Sequence, residues 1–206
     1  LLHFKEVFSR WDSAFANKGW LSVFLANDDQ ARMVSRFGND SPQFREVSSK
    51  MLSTFIMTMR GTPYFYNGDE LGMTNPGFEK IEDYRDMPTL NEYQHQLDIG
   101  GDLQKFMQCI KFECRDNGRT PFQWDSTPDA GFTSGTPWIA VNPNYKEINR
   151  AIQENDPNSC LSYFKRLVRL RNSTKTLVYG KYTSLDKNNP NVYAYTREGD
   201  GEKLLI

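Results

Sequence analysis

The sequence predicts an α/β fold built on a parallel sheet, with an antiparallel β-module beginning near residue 174. Three observations carry that expectation. Amphipathic runs of helical period alternate with short apolar runs rich in β-branched and aromatic residues. Each short run ends in a polar loop holding two adjacent carboxylates. Beyond residue 174 the pattern changes to alternating segments joined by Gly, Asn, Asp and Pro. The order helix, strand, helix, strand belongs to a parallel sheet with crossover helices. In such folds binding and catalytic groups gather in loops at the carboxyl ends of the strands.

Leu2, Phe4, Val7, Phe8, Trp11 and Phe15 recur at helical spacing, so a helix is expected from Leu2 to Ala16, closed by Gly19. Residues 21–25 (Leu-Ser-Val-Phe-Leu) read as a strand, and its loop carries Asp28 and Asp29. Ser41-Pro42 opens a helix from Gln43 to Met59, whose apolar positions Phe44, Val47, Met51, Leu52, Phe55, Ile56 and Met59 give a broad buried face. Gly61 ends it. Residues 62–66 read as the second strand, and Asp69 and Glu70 are expected to anchor its loop by hydrogen bonds.

Residues 74–154 are rich in Pro, Gly, Asn and Asp and read as a long loop region, with one short helix at 103–112. Asp156-Pro157-Asn158-Ser159 starts an amphipathic helix through Leu161, Phe164, Leu167, Val168, Leu170 and Arg171. Residues 177–179, 192–195 and 203–206 are expected to be antiparallel strands, with turns at 187–190 and 199–201. The expected division is therefore 1–173, including the loop region 74–154, and 174–206.

With 206 residues the chain can bury a sizeable core, and its net charge of -1 gives no electrostatic case for nucleic acid or an anionic membrane. No apolar run is long enough to span a bilayer. Cys109, Cys114 and Cys160 form neither an even set nor a CxxC pair, which fits reduced thiols in a cytoplasmic protein. His3 and His95 stand in no metal-ligand spacing, so no metal or other cofactor is expected.

Several longer words occur in order: Asn27-Asp28-Asp29-Gln30-Ala31-Arg32, Arg36-Phe37-Gly38-Asn39-Asp40, the run from Gly61 to Asn75, Asp83-Tyr84-Arg85-Asp86 and Arg115-Asp116-Asn117-Gly118-Arg119-Thr120-Pro121-Phe122-Gln123-Trp124. The tract from Asp129 through Pro137-Trp138 to Tyr145 completes the series. Together they closely resemble the α-amylase superfamily of glycoside hydrolases, in the branch of oligo-1,6-glucosidases, isomaltases, α-glucosidases and trehalose-6-phosphate hydrolases.

The resemblance implies the C-terminal part of a (β/α)8 TIM barrel followed by the start of an antiparallel β-domain. It implies retaining chemistry, in which one carboxylate attacks the anomeric carbon and a second serves as acid, then base, about 5–5.5 Å away. The family words for those two groups, Gly-Phe-Arg-x-Asp and Glu-Val, are not found in the expected form, so the chain alone is expected to be inactive. The third family carboxylate, the transition-state stabiliser, falls on Asp29. The family arginine of the sugar pocket falls on Arg119, where a planar, permanently charged fork suits the task.

Asp28, Arg32 and Arg85 complete the expected substrate-binding set. Arg32 and Arg36 are equally readable as neutralising the Asp28–Asp29 pair, and Arg85 with Asp86 as a surface ion pair. Trp124 and Trp138 are expected to serve packing rather than as sugar platforms.

One departure is plain. Where the family usually has Asn-His-Asp, this chain has Asn27-Asp28-Asp29, and an ionised Asp28 can accept a sugar hydroxyl but cannot donate to one. The expected function is part of a retaining α-glucosidase acting on α-1,6 or α-1,4 bonds in an oligosaccharide or disaccharide substrate. The alternatives are a catalytically inactive glycosidase-like binding or scaffold protein, and a sucrose isomerase or trehalose-6-phosphate hydrolase. Self-association of an incomplete barrel through its open strand edges is also expected.

Overall fold

The computed structural model describes residues 1–16 and 18–206, which group into two units. The first comprises Leu1–Phe24, Ser53–Tyr64 and Lys165–Ile206; the second comprises Leu25–Leu52 and Phe65–Phe164. The boundary read at 173/174 falls inside the first unit.

In the first unit, helix α1 (Leu2–Phe15) is followed by strand β1 (Ser22–Val23). Strand β1 pairs in parallel with β2 (Thr62–Pro63), Ser22 opposite Thr62 and Val23 opposite Pro63. The Thr62 and Tyr64 N–H groups donate to the Leu21 and Val23 carbonyls at 2.7 and 2.8 Å. The pairing is parallel as the alternation predicts, but each strand is shorter than its apolar run and has one neighbour among the described residues.

Helix α1 departs from a simple apolar stripe: Leu2 and Trp11 are half exposed while Lys5 and Asp12 are buried. Both buried charges are satisfied. Lys5 Nζ donates to the carbonyls of Asp186 and Asn189, and Asp12 accepts from Arg60 Nε at 2.8 Å. Phe4, Phe8, Phe55, Tyr193 and Tyr195 form an aromatic cluster with neighbouring centroids 4.7–6.5 Å apart.

Residues 177–179 are not a strand. They belong to helix α8 (Lys175–Tyr179), with Leu177 buried and Tyr179 exposed. Three residues are too few to separate a period of 2 from one of 3.6. The sheet begins after Gly180, with β3 (Lys181–Leu185), β4 (Ala194–Gly199) and β5 (Glu202–Leu205) antiparallel in that order. Asp200 and Gly201 take φ of 54° and 75°, the left-handed pair that a two-residue hairpin turn requires.

The second unit holds α2 (Met33–Phe37), the start of α3 (Arg45–Thr58), α4 (Met87–Asp98), α5 (Leu103–Glu113), α6 (Arg150–Glu154) and the start of α7 (Cys160–Ser173). Helices α3, α5 and α7 lie where periodicity predicts them. Helix α4 lies in the expected loop region; it fully buries none of its residues, and Leu90 and Tyr93 are only half-buried against the cluster that holds Phe106. A cap starts it, with the Asp86 carboxylate accepting the Thr89 N–H at 3.2 Å and Pro88 in the first turn. Two apolar clusters support the long connections, one around Leu71, Met73, Phe122, Ile148 and Leu161, the other around Phe78, Tyr84, Ile110, Cys114 and Ile139.

Candidate functional site

Three segments distant in sequence meet within the second unit: 27–30, 85–86 and 115–119. The loop after β1 is folded locally, with Asn27 Oδ1 accepting the Asp29 N–H at 2.9 Å. Gly118 lets the third segment lie against it, since a Cβ there would stand 2.5 Å from the Gln30 carbonyl oxygen. Arg119 Nε donates to the Asp28 carbonyl at 2.7 Å, and Arg119 Nη2 donates to Asp29 Oδ1 at 3.0 Å. Arg115 Nη1 reaches the same Oδ1, also at 3.0 Å. Two guanidiniums therefore converge on one oxygen of Asp29.

The Asp29 side chain is 63% exposed, and its Oδ2 has no hydrogen-bond partner among the described residues. Behind the arginines lie two buried carboxylates. Asp86 Oδ1 accepts from Arg115 Nε and Nη2 at 2.9 and 2.6 Å, and Arg119 Nη1 lies 3.4 Å from both Asp86 Oδ1 and Asp116 Oδ1. Asp116 Oδ2 accepts the Arg85 and Asp86 N–H groups at 2.6 and 2.7 Å. Burial pushes the Asp86 carboxyl up, but the Thr89 hydrogen bonds and the Arg115 guanidinium outweigh it and hold the group below the ordinary carboxylate range.

The structure brings Arg119 onto the Asp29 carboxylate and the Asp28 main-chain carbonyl. Arg32 stands apart. It is 1% exposed, and its guanidinium donates to the Asn67 carbonyl and lies 3.4 Å from Thr120 O and Oγ1, so it joins two loops from beneath. Arg36 donates to Gln30 Oε1 at 2.6 Å, so the pairing that neutralises Asp29 comes from Arg115 and Arg119 instead.

Arg85 is exposed, but its guanidinium turns back onto the Glu82 and Tyr84 carbonyls, and Asp86 pairs with Arg115 and Arg119 rather than with Arg85. Asp69 and Glu70 do anchor their turn, accepting the Tyr66 and Gly68 N–H groups. Trp124 packs against Phe122 at 4.6 Å, whereas Trp138 is 66% exposed and does not serve the packing expected of it. Sequence reasoning passed over Arg115 and Asp116 as site residues, although both lie in the quoted Arg-Asp-Asn-Gly-Arg word. Among the described residues no group of three His, Cys, Asp or Glu side chains could hold a metal ion.

The comparisons with known proteins specify the family to which this fold and this arginine-held carboxylate belong. The model of the alpha amylase catalytic domain matches residues 1–180, and the chain belongs to that family. An oligo-1,6-glucosidase of Bacillus cereus is 50% identical over 209 residues, covering 100% of this chain and 37% of its own length. A trehalose-6-phosphate hydrolase of Bacillus subtilis (strain 168) is 44% identical, covering 100% of this chain and 36% of its own length.

Among solved structures, an isomaltulose synthase mutant from Erwinia rhapontici NX5 in complex with its natural substrate sucrose superposes with a TM-score of 0.96 at 46% identity, covering 100% of this chain and 37% of that one. A trehalulose synthase mutant in complex with Tris gives 0.96 at 43% identity, covering 99% and 37%. The chain thus spans little more than a third of the relatives it matches. Its fold is the C-terminal part of their (β/α)8 barrel followed by a small antiparallel sheet.

Proposed function

We propose that this chain forms one wall of the sugar site of a retaining α-glucosidase that cleaves α-1,6 or α-1,4 bonds in short oligosaccharides. The observation that supports it is the convergence of Arg115 and Arg119 on Asp29 Oδ1, which leaves Oδ2 open. An open carboxylate oxygen accepts hydrogen bonds from ring hydroxyls. Those bonds strengthen as the ring becomes oxocarbenium-like, so Asp29 favours the transition state over the bound sugar. The two arginines fix the direction of the carboxylate by holding its Oδ1. Arg119 also ties the Asp28 carbonyl to the same anchor.

The nucleophile and the general acid are supplied from outside this stretch. Arg115, more exposed than Arg119, takes a sugar-facing place beside it that the sequence expectation left to Arg119, Asp28, Arg32 and Arg85. Arg32 acts from beneath as a positioning residue, and Arg85 rims the site through its main chain. Three unpaired cysteines support a reducing, cytoplasmic setting.

The test is Asp29→Asn in the full-length protein with a nitrophenyl α-glucoside. Turnover is expected to fall at least about 100-fold, as for loss of a group aimed at developing charge. Activity within a few-fold of the parent would remove Asp29 from the mechanism. Asp28, an exposed carboxylate without a hydrogen-bond partner among the described residues, favours a second reading as a catalytically silent binding scaffold. A full-length parent with no turnover on any α-glucoside would support that reading.

A further inference from the structure

Asp86 cannot reach a sugar, because its side chain is 4% exposed, yet it is bonded to both arginines of the site. Its two oxygens have different duties. Oδ1 takes Arg115 through Nε and Nη2 and faces Arg119 Nη1 at 3.4 Å, while Oδ2 caps α4 through the Thr89 N–H and the Thr89 hydroxyl, the latter at 2.8 Å. Its own N–H donates to the fully buried Asp116. Two bonds from Thr89 to Oδ2 and one from the backbone N–H to Asp116 therefore hold the residue in place before either arginine meets it.

With Nε and Nη2 of Arg115 engaged by Asp86, the planar fork leaves Nη1 directed at Asp29. Without that second anion, two long cations beside Asp29 would be free to fold onto both of its oxygens as bidentate partners. The oxygen that must stay open for the sugar would then be covered.

We infer that Asp86 is a positioning residue: it holds Arg115 and Arg119 to one oxygen of Asp29 and keeps the other available. The inference rests on Asp29 being the transition-state stabiliser of the proposed enzyme. Asp86 draws the arginines back, and the cap of α4 keeps Asp86 itself from following them. Helix α4, which fully buries no side chain of its own, thereby has a part in the site through its first turn.

The experiment is a double-mutant cycle in the full-length protein with a nitrophenyl α-glucoside. Asp86→Asn retains an efficient helix cap while removing the charge. Its kcat/KM is expected to drop about 10- to 100-fold, the scale of a misplaced catalytic group. Arg115→Lys alone and the double variant complete the cycle. If Asp86 acts through Arg115, the double variant loses little more than Arg115→Lys, because the interaction is already gone.

Independent, multiplying losses would overturn the inference, as would an Asp86→Asn enzyme of parental kcat/KM. If Asp86→Asn yields too little folded protein, Asp86→Ser, which also caps a helix, carries the same cycle. Asp29→Asn measured alongside separates the two possible failures. An active Asp29→Asn ends the functional reading whatever Asp86 does, whereas an inactive one beside a parental Asp86→Asn ends only the present inference.

Discussion

Beneath the turn that follows β2, Asp69 is 1% exposed; Oδ2 accepts the Tyr66 N–H at 3.0 Å, and Oδ1 is unpartnered among the described residues. Burial is the largest influence and pushes this carboxyl up to about 6, against the attraction of Arg32 and the Tyr66 hydrogen bond. A carboxyl raised on folding binds its proton more tightly folded than unfolded. The stability it contributes is therefore highest in acid, falls as pH rises from about 4 to about 6, and is level above, with a slope of at most about 1.4 kcal/mol per pH unit. Asp69→Asn removes that titration, so the stability of the parent relative to the variant should decline across this window in urea unfolding. Parallel pH curves would show that Asp69 does not titrate there. Single residues also mark how far the site was legible. Asp29 and Arg119 were readable because motif words place them, and Asp86 was visible only as a neighbour of Arg85. Arg32, Arg36 and Arg85 show the limit, since spacing does not tell which way a long side chain leaves a loop. Arg32 goes inward to the Asn67 carbonyl, and Arg85 goes back to its own turn.

Among the elements, the C-terminal end of α3 depends on partners far along the chain. Arg171 Nη1 donates to the Met57, Met59 and Leu177 carbonyls at 2.6, 2.9 and 3.1 Å, and Nη2 to Gly61. Arg197 adds bonds to Thr58, Leu177 and Gly180. Met57 and Thr58 lie in the last turn of α3 and Leu177 in that of α8, where a helix end leaves carbonyls without intrahelical partners. Arg171→Met fills similar space but strands several buried acceptors, so it should lower stability by at least about 2 kcal/mol. A urea midpoint unchanged from the parent would show that water replaces the guanidinium. Helices α1, α3, α5 and α7 were legible because apolar residues repeat along them. Helix α4 was not, because its packing residues Leu90 and Tyr93 are only half-buried and lie in a stretch rich in polar residues, and the three apolar residues of α8 satisfy either period. Arg171, the charged residue in the amphipathic run of α7, is only 5% exposed. Hydropathy alone hides a cation whose partners are main-chain oxygens.

At the scale of the whole chain, the feature with the widest consequence is the β1–β2 pair. Parallel sheets are normally covered on both faces and extended on both edges. Here two strands have only each other among the described residues, with Phe24 43% and Tyr64 56% exposed beside them. Unpaired backbone groups flanked by aromatic side chains form a template for another strand. Pro63 blunts one position, having no N–H to offer. A net charge of -1 supplies little long-range repulsion to keep copies apart. The chain on its own is therefore expected to self-associate, with an apparent mass in light scattering that rises with concentration. The contact should weaken when Phe24 and Tyr64 are replaced by Lys, because the added charges oppose edge-to-edge pairing. A monodisperse monomer at every concentration would show that β1 and β2 are sufficiently protected as they stand.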